Sequence, residues 1–214
     1  SNMKRAWTEL GGKSANIVCA DCPDLDAAVS AAIGSIYFNQ GESCNAPSRL
    51  FVEASIKDAF LEKALAMIPR YAPGDPLDED TIMGAIVDDA QMKTVMGYIE
   101  AGKAGGARLL AGGEAVRLDS GGYYVAPTLF DKVDNDMRIA QEEIFGPVLS
   151  VLTFTDVNDA VRQANATPYG LAAGVWTSDI SKAIKVSRAL RAGTVHVNQY
   201  DNDDITVPFG GVKQ

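Results

Sequence analysis

VLSVLTFTDVNDAVRQAN, residues Val148 to Asn165, is the stretch that decides the fold. Its first seven residues form an apolar, β-rich run, read as a buried strand from Val148 to Phe154. Asp156 then offers an N-cap, and the residues behind it follow helical spacing. A strand that hands over to a capped helix is the repeating unit of a parallel sheet covered by helices.

The unit recurs outward in both directions. Upstream, Asn16 to Val18 reads as a strand and Asp24 as the cap of a helix. That helix carries Leu25, Ala28, Val29, Ala32, Ile33 and Ile36 on one face. Leu50 to Val52 is a second strand. Ser55 is the expected cap of a helix turning Ile56, Phe60, Leu61, Ala64, Leu65 and Ile68 inward. Tyr71 to Thr81 is a proline- and acid-rich loop, and Asp88 to Glu100 a further amphipathic helix. Downstream, Ala172 to Trp176, Ile180 to Leu190 and Thr194 to Val197 repeat the theme. The expected fold class is α/β, a mainly parallel twisted sheet flanked by helices. No internal repeat, low-complexity segment or domain boundary interrupts it, so residues 1–214 read as one domain.

Composition narrows the function classes. A 214-residue chain with 47% hydrophobic residues and a mean hydropathy near zero is that of a soluble globular protein. A net charge of −9 argues against nucleic acid or an anionic membrane as partner. Three cysteines without framework spacing point to a reducing compartment, hence the cytoplasm. Asn165 opens a formal glycosylation sequon, which carries little weight without a secretory signal. The sequence starts almost on a strand and stops in the glycine-rich PFGGVKQ, which reads as a piece of a longer polypeptide.

The chemistry concentrates in YFNQGESCNAPSR, Tyr37 to Arg49. Most cysteines are inert small residues. Cys44, however, stands among Asn39, Gln40, Gly41, Glu42, Ser43 and Asn45, which no packed core requires. Such a loop can expose a thiol and surround an oxyanion with amide donors. Glu9, ahead of Gly11 and Gly12, is either a solvated surface acid or, if shielded from water, a general base. GGKS invites a phosphate-loop reading, but Trp7 stands where that motif needs glycine. EEIFGPV, Glu142 to Val148, pairs acids with an aromatic. It reads equally as a helix end anchored by Phe145 and as a grip for a ribose and a cofactor ring. No G-x-G-x-x-G occurs, so a complete dinucleotide unit is not encoded.

Cys19 and Cys22 in CADC suit a thiol–disulfide module, although Asp21 would raise the neighbouring thiol's pKa. They lack the partners of a metal site, and no metal is expected. His196, in the apolar run TVHV, reads as structural. A catalytically silent scaffold or interaction domain is the remaining alternative.

ELGGKS, FNQGESC, EEIFGPV, PYGLAAGVWT, AGTVHVN and VPFGG stand in this order along essentially the whole chain. In that series the chain resembles the catalytic domain of the aldehyde dehydrogenase superfamily, which is Rossmann-like. Within it, SNMKR, GGKSANIV, ADCPDL and TVPFGGVKQ are most similar to the γ-glutamyl-γ-aminobutyraldehyde dehydrogenases. The resemblance implies NAD(P)-dependent oxidation of an aldehyde to a carboxylic acid. Cys44 matches the thiol that forms the thiohemiacetal and thioester, and its backbone amide matches half of the oxyanion hole. Glu9 matches the general base for hydrolysis. Glu143 matches the residue on the nicotinamide ribose, Phe145 the one near the ring, and Leu10 and Gly11 the stretch along the nicotinamide. Phe38 and Phe209 match aromatics of the aldehyde tunnel.

Departures from the family pattern carry information too. Asp203 takes a place that can be aromatic in enzymes for apolar aldehydes, and Asp201 and Asp204 flank it. Acid there favours an amine-bearing aldehyde. Thr8 replaces a usual leucine and Pro47 a usual glycine. The resemblance also implies that the adenosine-binding half and the C-terminal continuation are absent here. The chain alone would then be a poor dehydrogenase that does not bind NAD or NADP by itself, cut from a homo-oligomeric parent.

Overall fold

The computed structural model describes Met3, residues 8–202, Asp204 and residues 206–213. Two strands, β1 (Ala15–Val18) and β2 (Arg49–Glu53), pair in parallel near the middle of a seven-stranded sheet. On the β2 side follow β7 (Val148–Phe154), β6 (Thr128–Asp131) and the edge strand β3 (Arg108–Ala111). On the β1 side follow β8 (Ala172–Trp176) and β9 (Thr194–Val197). Every pairing in this sheet is parallel except β3 with β6. A separate two-stranded ribbon joins β4 (Ala115–Val116) to β5 (Tyr124–Val125). The mainly parallel α/β architecture expected from the sequence is the one observed.

Side-chain alternation sets the two faces. Leu50, Val52, Leu149 and Val151 pack with residues of α1 (Leu25–Tyr37) and α2 (Lys57–Met67). Phe51, Leu152 and Val175 point the other way. They join a cluster with residues of α3 (Asp89–Ala104), α4 (Arg138–Gln141), α5 (Val157–Asn165) and α6 (Ile180–Ala189). Both faces are therefore covered, which is why the central strands are mostly apolar on both sides. Each large side chain removed from water in this way contributes about 1.5–3 kcal/mol.

Aspartates start the helices. Asp24 accepts the Ala27 N–H at 2.9 Å, Asp88 that of Gln91 at 2.7 Å, and Asp156 that of Asn158 at 3.0 Å. Asp179 does the same for α6 with two amides. α2 and the short α4 start without a side-chain cap, and α2 corrects the expectation for Ser55. Residues 54–56 form a turn closed by Ile56 N–H to Glu53 O at 3.1 Å, so the helix begins after Ile56 with no side-chain cap.

The topology also gathers the site. Gly12 runs into β1, Asn45 to Ser48 into β2, and Glu143 to Pro147 into β7. These strands are parallel neighbours, so the three preceding loops meet at one end of the sheet, the amino end. Ligands of open α/β sheets commonly sit at the carboxyl end instead.

Candidate active site

The loop carrying Cys44 begins where α1 stops at Tyr37. Three successive residues then take the left-handed region: Asn39 at φ 46°, Gln40 at 58° and Gly41 at 73°. Asparagine tolerates this conformation better than most residues, but two non-glycine positions in a row still cost of the order of 1 kcal/mol each. Local bonds hold them. Asn39 Nδ2 donates to Glu42 O at 2.8 Å, and Gln40 Oε1 accepts the Gly84 N–H at 3.0 Å. Gly41 is required for a second reason, since a Cβ there would collide with the Gly146 carbonyl. That close approach seats the thiol loop against the turn before β7.

Cys44 itself is half-buried and unpaired. Burial pushes its thiol above the ordinary range. The N–H groups of Cys44 and Asn45 pull it back, and Glu143 and Glu9 push it up again. Both carboxylates thus act on the Cys44 thiol. Gly12 lies directly beneath, because a Cβ at this position would strike the Cys44 carbonyl oxygen.

Glu143 is held by the same glycine pair. Its Oε1 accepts the Gly12 N–H at 3.0 Å, and a Cβ on Gly11 would collide with its Oε2. Burial raises its pKa, while the Gly12 amide and Lys13 work against the rise. Phe145 follows with φ 54° and is 39% exposed, a strained position for an aromatic residue. Gln91, on the first turn of α3, holds this turn down. Its Nε2 donates to Ile144 O at 2.9 Å and to Phe145 O at 2.7 Å. Sequence reading missed Gln91, because nothing local marks a glutamine whose acceptors lie some fifty residues on.

On the other side, Asn45 ties the nucleophile loop to the segment after β9. Its Nδ2 donates to Asp201 Oδ1 at 3.0 Å, its Oδ1 accepts from Ser43 Oγ at 2.7 Å, and its carbonyl accepts from Tyr200 Oη at 2.9 Å. The Tyr200 ring packs on buried His196 with centroids 5.0 Å apart. His196 thus sits in the packing behind the loop, in keeping with a structural reading.

The remaining expected residues separate into two groups. Glu9 is exposed, so the shielding from water that a raised-pKa base requires is not supplied by the described residues. Leu10 is 46% exposed beside it. Phe38 and Phe209 are both exposed. Phe209 lines an open cavity of about 390 Å³ with Thr194, His196, Gln199, Asn202 and Asp204, and Phe38 is not among its walls. Asp203 lies outside the described residues. Cys19 is buried, and burial pushes its thiol up to about 12; Cys22 is raised by burial and by Asp21 and Asp24. No group of three or more candidate metal ligands exists among the described residues. No helix among them is long and apolar enough to cross a membrane.

A half-buried thiol, the Glu143 carboxylate and the Gly11–Gly12 backbone thus meet at the amino end of the parallel sheet. The chain belongs to the aldehyde dehydrogenase family, whose model matches residues 1–214. It is 48% identical over 214 residues to the NADP/NAD-dependent aldehyde dehydrogenase PuuC of Escherichia coli (strain K12), covering all of this chain and 42% of that protein. Against the human mitochondrial aldehyde dehydrogenase it is 47% identical over 213 residues, covering 41% of that protein. Among solved structures, it superposes on an indole-3-acetaldehyde dehydrogenase of P. syringae, a mutant in complex with NAD+ and IAA. The TM-score is 0.96 and the identity 60%, with 100% of this chain and 43% of the other covered. The γ-glutamyl-γ-aminobutyraldehyde dehydrogenase of Burkholderia cenocepacia J2315 gives 0.95 and 59% with the same coverage. The chain therefore spans well under half the length of these relatives.

Proposed function

We propose that this chain is the catalytic part of a longer, homo-oligomeric, cytoplasmic enzyme that oxidises an aldehyde to a carboxylic acid with NAD or NADP. The packing of the Cys44 loop on Gly12, whose N–H also holds the Glu143 carboxylate, carries this reading. The glycine pair fits the nicotinamide end of such a cofactor. With no Cβ at Gly11, the Glu143 carboxylate can lie against the backbone, and Leu10, Gly11, Glu143 and Phe145 are the residues that would hold the cofactor. When bound, the cofactor supplies the hydride acceptor.

The chain's own residues divide the remaining work. The Cys44 thiol is raised in pKa, so it must lose its proton before its sulfur can bond to the aldehyde carbon. As the S–C bond forms, the carbonyl oxygen becomes an oxyanion, to which the Cys44 backbone N–H would donate. Oxidation at that carbon leaves a thioester. Glu9 takes a proton from the attacking water, the C–S bond breaks, and sulfur leaves as thiolate with the acid product. Exposure of Glu9 in the chain alone agrees with a base that is shielded only in the longer protein.

For the substrate we favour an amine-bearing aldehyde. Asp201 is tethered to the residue after the nucleophile, which sets one carboxylate beside the approach to Cys44. An ammonium on the substrate would pair with it, and with Asp203 as the sequence suggests. Two measurements test the proposal. Cys44→Ser in the full-length protein should abolish aldehyde-dependent formation of reduced nicotinamide, and undiminished turnover would refute the thiol's role. Asp201→Asn together with Asp203→Asn should raise KM for an aminoaldehyde by roughly tenfold, leaving an apolar aldehyde unaffected. Equal changes for both aldehydes would remove the amine reading.

A further inference from the structure

β8 is buried along its whole length, yet it carries Gly174 at its centre. A glycine inside a strand weakens it, and often marks a place where another group must come close. Tyr200, from the segment after β9, is that group. A Cβ at Gly174 would stand 2.7 Å from the Tyr200 ring and 2.8 Å from Asn16 Oδ1. Asn16, Gly174 and His196 are paired in one row across β1, β8 and β9, so they share a face of the sheet. The buried Tyr200 ring lies over the gap in this row, its centroid 5.0 Å from that of His196.

From this slot the Tyr200 hydroxyl donates to the Asn45 carbonyl at 2.9 Å. Cys44 and Asn45 are the two central residues of a turn, closed by the Ala46 N–H to Ser43 O at 3.1 Å. The Cys44 carbonyl is set against Gly12 and the next carbonyl is held by Tyr200, so two successive peptide groups of the turn are gripped from different elements. Ser43 Oγ and Asp201 hold the Asn45 side chain as well. We propose that Tyr200 is a positioning residue for the nucleophile, seated over Gly174 so that its hydroxyl locks the Cys44–Asn45 turn and keeps backbone N–H groups facing the sulfur. It acts through Asn45, and its functional weight rests on the reading of Cys44 as the attacking thiol. The Asn45 N–H is one of the two that oppose the effect of burial on this thiol, so a turn free to rotate loses part of that opposition. Without the hydroxyl, a buried carbonyl also loses this donor, which favours such a rotation.

The pH profile of iodoacetamide labelling at Cys44, read by mass spectrometry on the full-length enzyme, tests the proposal. Tyr200→Phe keeps the ring in its slot and removes only the hydroxyl. Its labelling midpoint should rise by about half a pH unit or more, which slows labelling roughly threefold below the midpoint. Turnover should follow, with kcat down roughly threefold to tenfold and the aldehyde KM within about twofold. Gly174→Ala, which pushes the ring off its seat, should move the midpoint the same way, and it serves if Tyr200→Phe does not fold. Glu143 and Glu9, the charged groups that act on this sulfur, are untouched in both variants. A lowered urea midpoint with the labelling midpoint unchanged would reduce Tyr200 to packing alone and overturn the proposal. The reading of Cys44 fails separately, when Cys44→Ser keeps its turnover while the labelling midpoint of Tyr200→Phe still moves.

Discussion

Two cysteine-bearing segments flank β1 and β2 at opposite ends of the same sheet, and they have different chemical prospects. Cys19 follows β1 at its carboxyl end, and Cys44 precedes β2 at its amino end. Burial raises both thiols. At Cys44 two backbone amides oppose the rise, and the sulfur remains half-exposed. At Cys19 burial is nearly complete, and the one opposing influence is Lys182, which is committed to Asp21 at 2.9 Å. A thiol–disulfide module needs at least one accessible thiolate; Cys19 is buried, and at half-buried Cys22 two aspartates add to the rise from burial against a single backbone N–H, that of Asp24. The lesson is that a cysteine's function is set less by its neighbours in sequence than by whether backbone donors face its sulfur.

Turnover is where this contrast is largest. In the full-length enzyme, Cys44→Ser should lower kcat by roughly a thousandfold or more, because oxygen is a poor nucleophile and leaving group here. Cys22→Ser and Cys19→Ala should leave kcat within about twofold, as expected of residues outside the reacting unit. Comparable losses at Cys22 would revive the redox alternative.

Alkylation of the chain by iodoacetamide sharpens the same comparison without any substrate. Cys44 should react at least roughly tenfold faster than Cys19, judged by mass spectrometry of the tryptic peptides. The sign of the pH dependence follows from the raised pKa. Below that pKa the thiolate fraction grows about tenfold per pH unit, so labelling of Cys44 should still be accelerating above pH 8. A plateau at neutral pH would mean that donors outweigh burial at this sulfur.

The contrast also shows what was legible beforehand. β7, β8 and β9 match their expected limits; β7 and β8 are buried parallel strands, which announce themselves as largely apolar runs. β6 was not expected. Its run, Thr128 to Asp131, ends on a fully buried acid that only the fold explains, through Lys57 at 2.6 Å and Arg108 at 2.8 Å. β3 and the β4–β5 ribbon are short and set among glycines, so no period develops. Cys44 stood out because the polar residues around it have no packing purpose, Glu9 because it precedes two glycines, and Glu143 through the family resemblance. Gln91 did not, because its acceptors lie far along the chain. Asp203, chosen as the acid for an amine, lies outside the described residues, and Asp201 is the acid shown tied to the nucleophile loop.

Gln91 gives a smaller effect. Gln91→Ala removes both bonds that hold the strained Phe145 turn, which would let Phe145 relax from its φ of 54°. Two neutral hydrogen bonds contribute about 1–3 kcal/mol together, and part of this returns as relieved strain. We expect the cofactor KM of the full-length enzyme to rise by roughly threefold to tenfold with kcat little changed. A change confined to kcat would place Gln91 in the chemical step instead.

The smallest expected effect lies at Cys19, where only packing is at stake. Cys19 is fully buried in the cluster beneath α3 to α6, next to Ile17 and Val175 in that core. Cys19→Ala removes a single sulfur and leaves a small void, so unfolding free energy should fall by about 1 kcal/mol, read from urea midpoints at unchanged slope. Cys19→Ser replaces sulfur by a hydroxyl of similar shape that must find a partner where the thiol needed none. Its cost should exceed that of alanine by about 1 kcal/mol. If serine instead proves the milder change, polar groups must face this sulfur after all. The difference between the two ends of β1 would then have to rest on exposure alone.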